Sequence, residues 1–89
     1  MKFEIVQTDC DFGPACSMSN EACKNRIEKI IKDYPRLRDF GFEIENPDNY
    51  PKAYIYIYSI EELVKLKNAV DDLLIIGNDW IEIYNDYRE

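Results

Sequence analysis

The sequence has no histidine. That absence removes Ser-His-Asp triads, the usual Cys–His activation of a thiol, and most proton shuttles. It also leaves no imidazole to complete a zinc site. Glycine is scarce, with three residues, and Gly13-Pro14 is not a phosphate-binding loop. No apolar run approaches the roughly 18–20 residues of a membrane-spanning helix. The start, Met1-Lys2-Phe3-Glu4, lacks the basic-then-apolar layout of a signal peptide, so a cytoplasmic location is expected. Internal linkers and low-complexity tracts are absent too, and the 89 residues read as a single domain over 1–89.

Cysteine is sparse and odd in number. Cys10, Cys16 and Cys23 follow the spacing C-x5-C-x6-C, which matches no common zinc module and cannot form a complete intramolecular disulfide set. Asp9 or Asp11 would have to complete an irregular metal site. The expectation is therefore no metal and no cofactor, with reduced thiols. Cys23 sits on an apolar helix stripe and reads as core, whereas Cys16 falls in a loop. The adjacent acids Glu61-Glu62 and Asp71-Asp72 point in different directions on a helix and read as a solvated face. No constellation supports catalysis, and the chain is expected not to be an enzyme.

Charge and aromatic residues are what the sequence has in quantity. Eighteen acidic side chains against 11 basic ones give a net charge of -7. Residues 24–38 run against that balance, with Lys24, Arg26, Lys29, Lys32, Arg36 and Arg38 facing only Glu28 and Asp33. Direct nucleic-acid binding is disfavoured, because such affinity comes largely from neutralising phosphates. The basic stripe Lys24, Arg26, Lys29 and Lys32 reads as the exposed side of a helix.

Local patterns order the chain. Residues 3–7 alternate as a strand, with Phe3 and Ile5 on one face. An irregular loop covers 9–19. Ser19 or Asn20 caps a helix over 21–34, whose stripe is Cys23, Ile27, Ile30, Ile31 and Tyr34, and Pro35 ends it. Residues 40–45 alternate as a second strand, residues 46–51 turn, and residues 54–58 form a third strand rich in tyrosine. Ser59-Ile60-Glu61-Glu62 matches a capping box, with Tyr58 and Leu63 placed as a hydrophobic staple. The helix it opens is expected over 60–72, with Leu63, Leu66, Val70 and Leu73 on one face. Residues 73–76 either continue that helix or form a short strand. The strand is favoured, because Gly77-Asn78-Asp79 then turns into a last strand over 80–84. The tail, 85–89, is polar and expected to fray.

The order β-α-β-β-α-β resembles the ferredoxin-like arrangement. That resemblance implies an α+β fold: an antiparallel sheet with two helices on one face, plus an extra C-terminal hairpin. The helix-facing side would collect Phe3, Ile5, Phe40, Phe42, Ile44, Ile55, Ile57, Ile81 and Ile83. The opposite side would carry Tyr54, Tyr56, Tyr58, Trp80 and Tyr84 among Glu4, Glu43, Glu45 and Glu82. An RNA-recognition sheet also displays aromatics, but among basic residues. Here Tyr54, Tyr56, Tyr58, Trp80, Tyr84, Glu43, Glu45 and Glu82 form the candidate partner-binding set. The fitting partner is a basic protein or, as a homodimer, a second copy of the chain.

In being short, acidic and aromatic-rich without catalytic groups, and in its ending Trp80-Ile81-Glu82-Ile83-Tyr84-Asn85-Asp86-Tyr87, the chain resembles small accessory proteins of bacteriophages and mobile elements. These include anti-CRISPR and other anti-defence inhibitors. The resemblance implies an inhibitor that acts in a host cytoplasm and occupies a basic, nucleic-acid-handling protein surface. Two other readings stand beside it: a dimerising regulatory or structural domain, and a small-ligand or metal-binding domain built on residues 9–23. The metal reading has a direct check. With no metal required, chelator treatment leaves the melting temperature unchanged; a large drop, with stoichiometric zinc in untreated protein, would contradict this.

Overall fold

In the computed structural model, which describes residues 1–8 and 19–84, alternating Phe3, Ile5 and Gln7 turn inward along β1 (Lys2–Thr8). Ser19 caps α1 (Asn20–Asp33), its hydroxyl accepting from the Ala22 amide at 3.1 Å. Ile27 and Ile30 form the buried stripe of that helix. Pro35 disfavours helical geometry at the residue before it, and Tyr34 leaves the α region at φ -133°. Of the expected loop over 9–19, residues 9–18, with Cys10, Cys16, Asp9 and Asp11, lie outside the described residues, as does the tail 85–89.

After Pro35 the chain departs from expectation. Residues 35–40 form a 3₁₀ helix (Pro35–Phe40) that sinks Leu37 and Phe40 into the core. Gly41 then reverses the chain at φ +70°, a conformation L side chains adopt rarely. The strand expected over 40–45 is therefore only β2 (Glu43–Glu45). Phe40-Gly41-Phe42 mimics strand alternation while serving a turn. On this short edge strand Ile44 is exposed rather than buried, and Phe42, just before it, is half-buried.

Strand β3 (Lys52–Tyr56) begins and ends two residues before the expected span; Ile55 faces inward and Tyr54 and Tyr56 outward as read, and Ala53 is buried beside Ile55. The Ser59 cap forms, its hydroxyl accepting from the Glu62 amide at 3.2 Å. It opens α2 (Ile60–Val70), which ends two residues early at Asp71, in the left-handed region at φ +56°. Residues 73–76 are strand β4 (Leu73–Ile76), and β5 (Trp80–Tyr84) follows the turn. Leu73, expected on the α2 stripe, instead lies half-exposed on β4.

The sheet order is β2-β3-β1-β5-β4. Its first half keeps the ferredoxin-like arrangement, with β3 antiparallel to both β1 and β2. The second half does not. The strand returning from α2 is β4, at the outer edge, and the hairpin then brings β5 back beside β1. One added reversal leaves β5 parallel to β1, in the register Ile5 to Ile81. The expected all-antiparallel sheet is thus a mixed five-stranded one.

Both helices pack on one face. Ile5, Ile55, Ile81, Ile83 and Leu66 are almost fully buried there, joined by Ile27, Ile30, Leu37 and Val70. Asp72 belongs to this interior and not to a solvated helix face: it is 1% exposed and accepts from the Tyr34 hydroxyl at 2.7 Å. Lys67 of α2 donates to the Asp72 carbonyl at 2.7 Å. These bonds tie the end of α1 to the junction of α2 and β4.

The Ser59 cap carries a measurable share of stability. Ser59→Ala lowers the unfolding free energy by about 1 kcal/mol in urea titration. A change near zero would show that the hydroxyl does not cap.

Candidate functional site: the open face of the sheet

With both helices on one side, no helix among the described residues covers the other side of the sheet. Period-two alternation decides what stands on it. Strand β3 supplies Lys52, Tyr54 and Tyr56, and β1 supplies Lys2, Glu4 and Val6. Strand β5 supplies Trp80, Glu82 and Tyr84, and β2 supplies Glu43 and Glu45. The register sets Glu43, Tyr54, Glu4 and Trp80 in one row across four strands. The residues expected to share a face therefore do share it.

Tyr56 is the hub of the tyrosine cluster. Its hydroxyl donates to Glu43 Oε2 at 2.6 Å. Its ring stacks with Tyr58, centroids 6.3 Å apart and planes 17° from parallel. Tyr58 extends this stack beyond the end of β3, is 74% exposed, and borders one groove together with Leu63, its expected staple partner. Tyr54 and Tyr84 are half-buried. Trp80 lies against the hairpin, where a side chain at Gly77 would run into its indole. Gly77 thus gives the only tryptophan a flat seat, a role beyond its place in the turn.

Sequence reasoning missed Lys2 and Lys52 on this face. The Lys2 Nζ stands 4.3 Å from the Tyr54 ring centroid and 3.4 Å from Glu45 Oε2. The first contact lies within the range where a cation is drawn to an aromatic face. Four carboxylates, Glu4, Glu43, Glu45 and Glu82, face two ammonium groups, so the face is acidic but not uniformly so. The signal was present: with Phe3 and Ile5 inward, Lys2 must fall outward beside Glu4. Leu73 and Ile75 of β4 extend the face past Tyr84 and Glu82 with apolar side chains.

Electrostatics on the face are local. Desolvation pulls the Lys2 pKa down, but the bond to Glu45 and the neighbouring Tyr56, Glu43 and Glu45 outweigh it, leaving the value above that of an ordinary lysine. The Tyr56 phenol is pushed above the ordinary tyrosine value, mainly by its hydrogen bond to Glu43. Desolvation and the Glu43 charge add to this, and Lys2 opposes it.

Elsewhere the chemistry is thinner. A groove of about 300 Å³ between α1 and β3 is lined by Cys23, Arg26, Ile27, Tyr50 and Pro51, among others. Cys23 is a free, half-buried thiol, and Arg26 donates to the Gln7 carbonyl at 3.3 Å. Among the described residues no three His, Cys, Asp or Glu side chains gather as metal ligands. No helix among them is long and apolar enough to cross a membrane. Along α1, Lys29 pairs with Asp33 one turn on, at 3.7 Å.

Comparison with family models, with curated proteins and with solved structures returns no significant match.

The Tyr56–Glu43 bond has a spectroscopic consequence. Glu43 holds the protonated phenol and opposes the phenolate, so Tyr56 ionises at higher pH than an ordinary tyrosine. Glu43→Gln brings its ring-carbon NMR titration down towards the ordinary range. An unchanged titration would show that the bond does not form.

Proposed function

We propose that the chain is a non-enzymatic protein-binding module whose open sheet face docks on a basic protein surface. The observation that carries this reading is the Tyr54–Tyr56–Tyr58 cluster set among Glu43, Glu45 and Glu82, with a cation already seated in it. Lys2 lies over Tyr54 and against Glu45, in the position that a lysine or arginine of a partner would take. Tyrosine and tryptophan supply large contact area at low entropic cost, and they are enriched where interfaces are strongest. Monomeric proteins rarely expose broad apolar patches without a use for them.

The acidic ring gives the face its direction. Carboxylates spaced between aromatic rings resemble nucleic acid in both charge and stacking surface. A protein that handles nucleic acid would therefore be occupied by such a face, which is the mode of action implied by the likeness to phage anti-CRISPR and anti-defence inhibitors. Steering of this kind speeds association more than it deepens affinity. Direct binding of nucleic acid is disfavoured by the same carboxylates.

The test uses a partner recovered from the native host by affinity capture and then measured in purified form. Tyr58→Ala removes an exposed ring without touching the core and weakens binding by about 1–3 kcal/mol, the range of an aromatic hot spot. The double change Glu43→Gln with Glu82→Gln slows association and flattens its salt dependence, with a smaller effect on dissociation. Binding that both variants leave intact would sink the proposal.

A further inference from the structure

The two edges of the sheet differ in how they are guarded. An edge strand presents a row of unpaired backbone amides and carbonyls, and proteins blunt such rows with charge, shortness or proline. The β2 edge follows that rule: it is three residues long and carries Glu43 and Glu45. The β4 edge does not. Leu73-Leu74-Ile75-Ile76 has no charged residue and no proline. It exposes Leu73 at 50%, Ile75 at 39% and Ile76 at 49%. Among the described residues no strand pairs with its outer side.

The hydrogen-bond alternation identifies the free groups. The Gly77 amide donates to the Trp80 carbonyl across the hairpin at 2.9 Å. Two-residue alternation then turns the Leu73 and Ile75 backbone towards β5, and the Leu74 and Ile76 backbone out of the sheet. The next outward carbonyl, that of Asp72, is already taken by Lys67. What remains is a short outward row flanked by an apolar groove of about 270 Å³, lined by Leu63, Val64, Lys67, Leu73, Leu74 and Ile76.

We infer that β4 pairs antiparallel with β4 of a second copy of this chain, joining two sheets edge to edge across a two-fold axis. The edge is self-complementary. With the axis at Ile75, Leu74 of one copy stands opposite Ile76 of the other, and each outward amide meets an outward carbonyl. Ile75 then faces its own copy on the open side. Charge selects the same occupant. A net charge of -7 makes two copies repel over most of their surface, yet this strand holds no carboxylate and the groove beside it adds only Lys67. A two-fold contact closes at the dimer and leaves the charged β2 edges outermost. It also sets both tyrosine clusters on one side of a continuous ten-stranded sheet. The inference does not rest on the binding role of that face.

Sedimentation or light scattering across the micromolar to millimolar range tests it. The wild-type chain reaches twice the monomer mass and stops there. Ile75→Lys sets two ammonium groups side by side at the axis, and like charges directly opposite are unfavourable. Within one copy the new side chain lies beside its register partner Glu82, so the fold tolerates it. The dimer dissociation constant rises at least about tenfold, while the unfolding midpoint extrapolated to low concentration is kept. If that midpoint falls, Ile76→Pro gives the reading instead, because the amide it deletes points out of the sheet. A wild-type chain that stays monomeric, assemblies that grow past the dimer, or folded variants that dimerise as tightly as wild type would each overturn the inference.

Discussion

The structure depends on the one-sided covering of its sheet. Ile5, Ile55, Ile81 and Ile83, from the three central strands, bury almost all their surface against Leu66 of α2 and the α1 stripe. At about 25 cal/mol for each Å² of apolar surface removed from water, this seam is the main favourable term available to so short a chain. Because both helices are committed to it, nothing in the helices covers the reverse of β1, β3 and β5. That reverse must be built from side chains able to stand half in water. Tyrosine, tryptophan, glutamate and lysine in alternation meet the requirement.

That constraint links fold to charge. Each strand residue that does not point into the core is assigned to the open face, so the face takes whatever the alternate positions encode. On β3 these are Lys52, Tyr54 and Tyr56, and on the flanking strands carboxylates. Hydrogen bonds and a cation–ring contact then organise them: Tyr56 on Glu43, Lys2 on Glu45 and over the Tyr54 ring. These exposed contacts contribute little to stability. Their effect is to hold rings and charges in fixed positions, which lowers the ordering cost of any later binding.

Sequence made legible the features set by neighbours along the chain. The Ser59 cap, the stop at Pro35, the inward and outward faces of β1, β3 and β5, and the strand at 73–76 all follow from local spacing. So does the shared face of the candidate residues. What depends on distant partners was not legible. Alternation encodes which face a residue takes and not which strand lies beside it, so the parallel pairing of β5 with β1 left no mark. Asp71 and Asp72 look alike in sequence, and the buried Asp72 carboxylate accepts from Tyr34, 38 positions away. Phe40 and Phe42 carry strand spacing, and the left-handed Gly41 between them overrides it.

Hydroxyl-radical footprinting, with and without the captured partner, tests the central claim most directly, because it reads side-chain exposure on both faces of the sheet at once. In the free protein Tyr58 and Trp80 oxidise readily, Tyr54 and Tyr56 to an intermediate degree, and Phe3 and Phe40 hardly at all. In the complex the open-face rings become protected together, and oxidation elsewhere on the molecule is unchanged. Rings that stay equally reactive in the complex, or protection confined to the α1 side, would contradict the account.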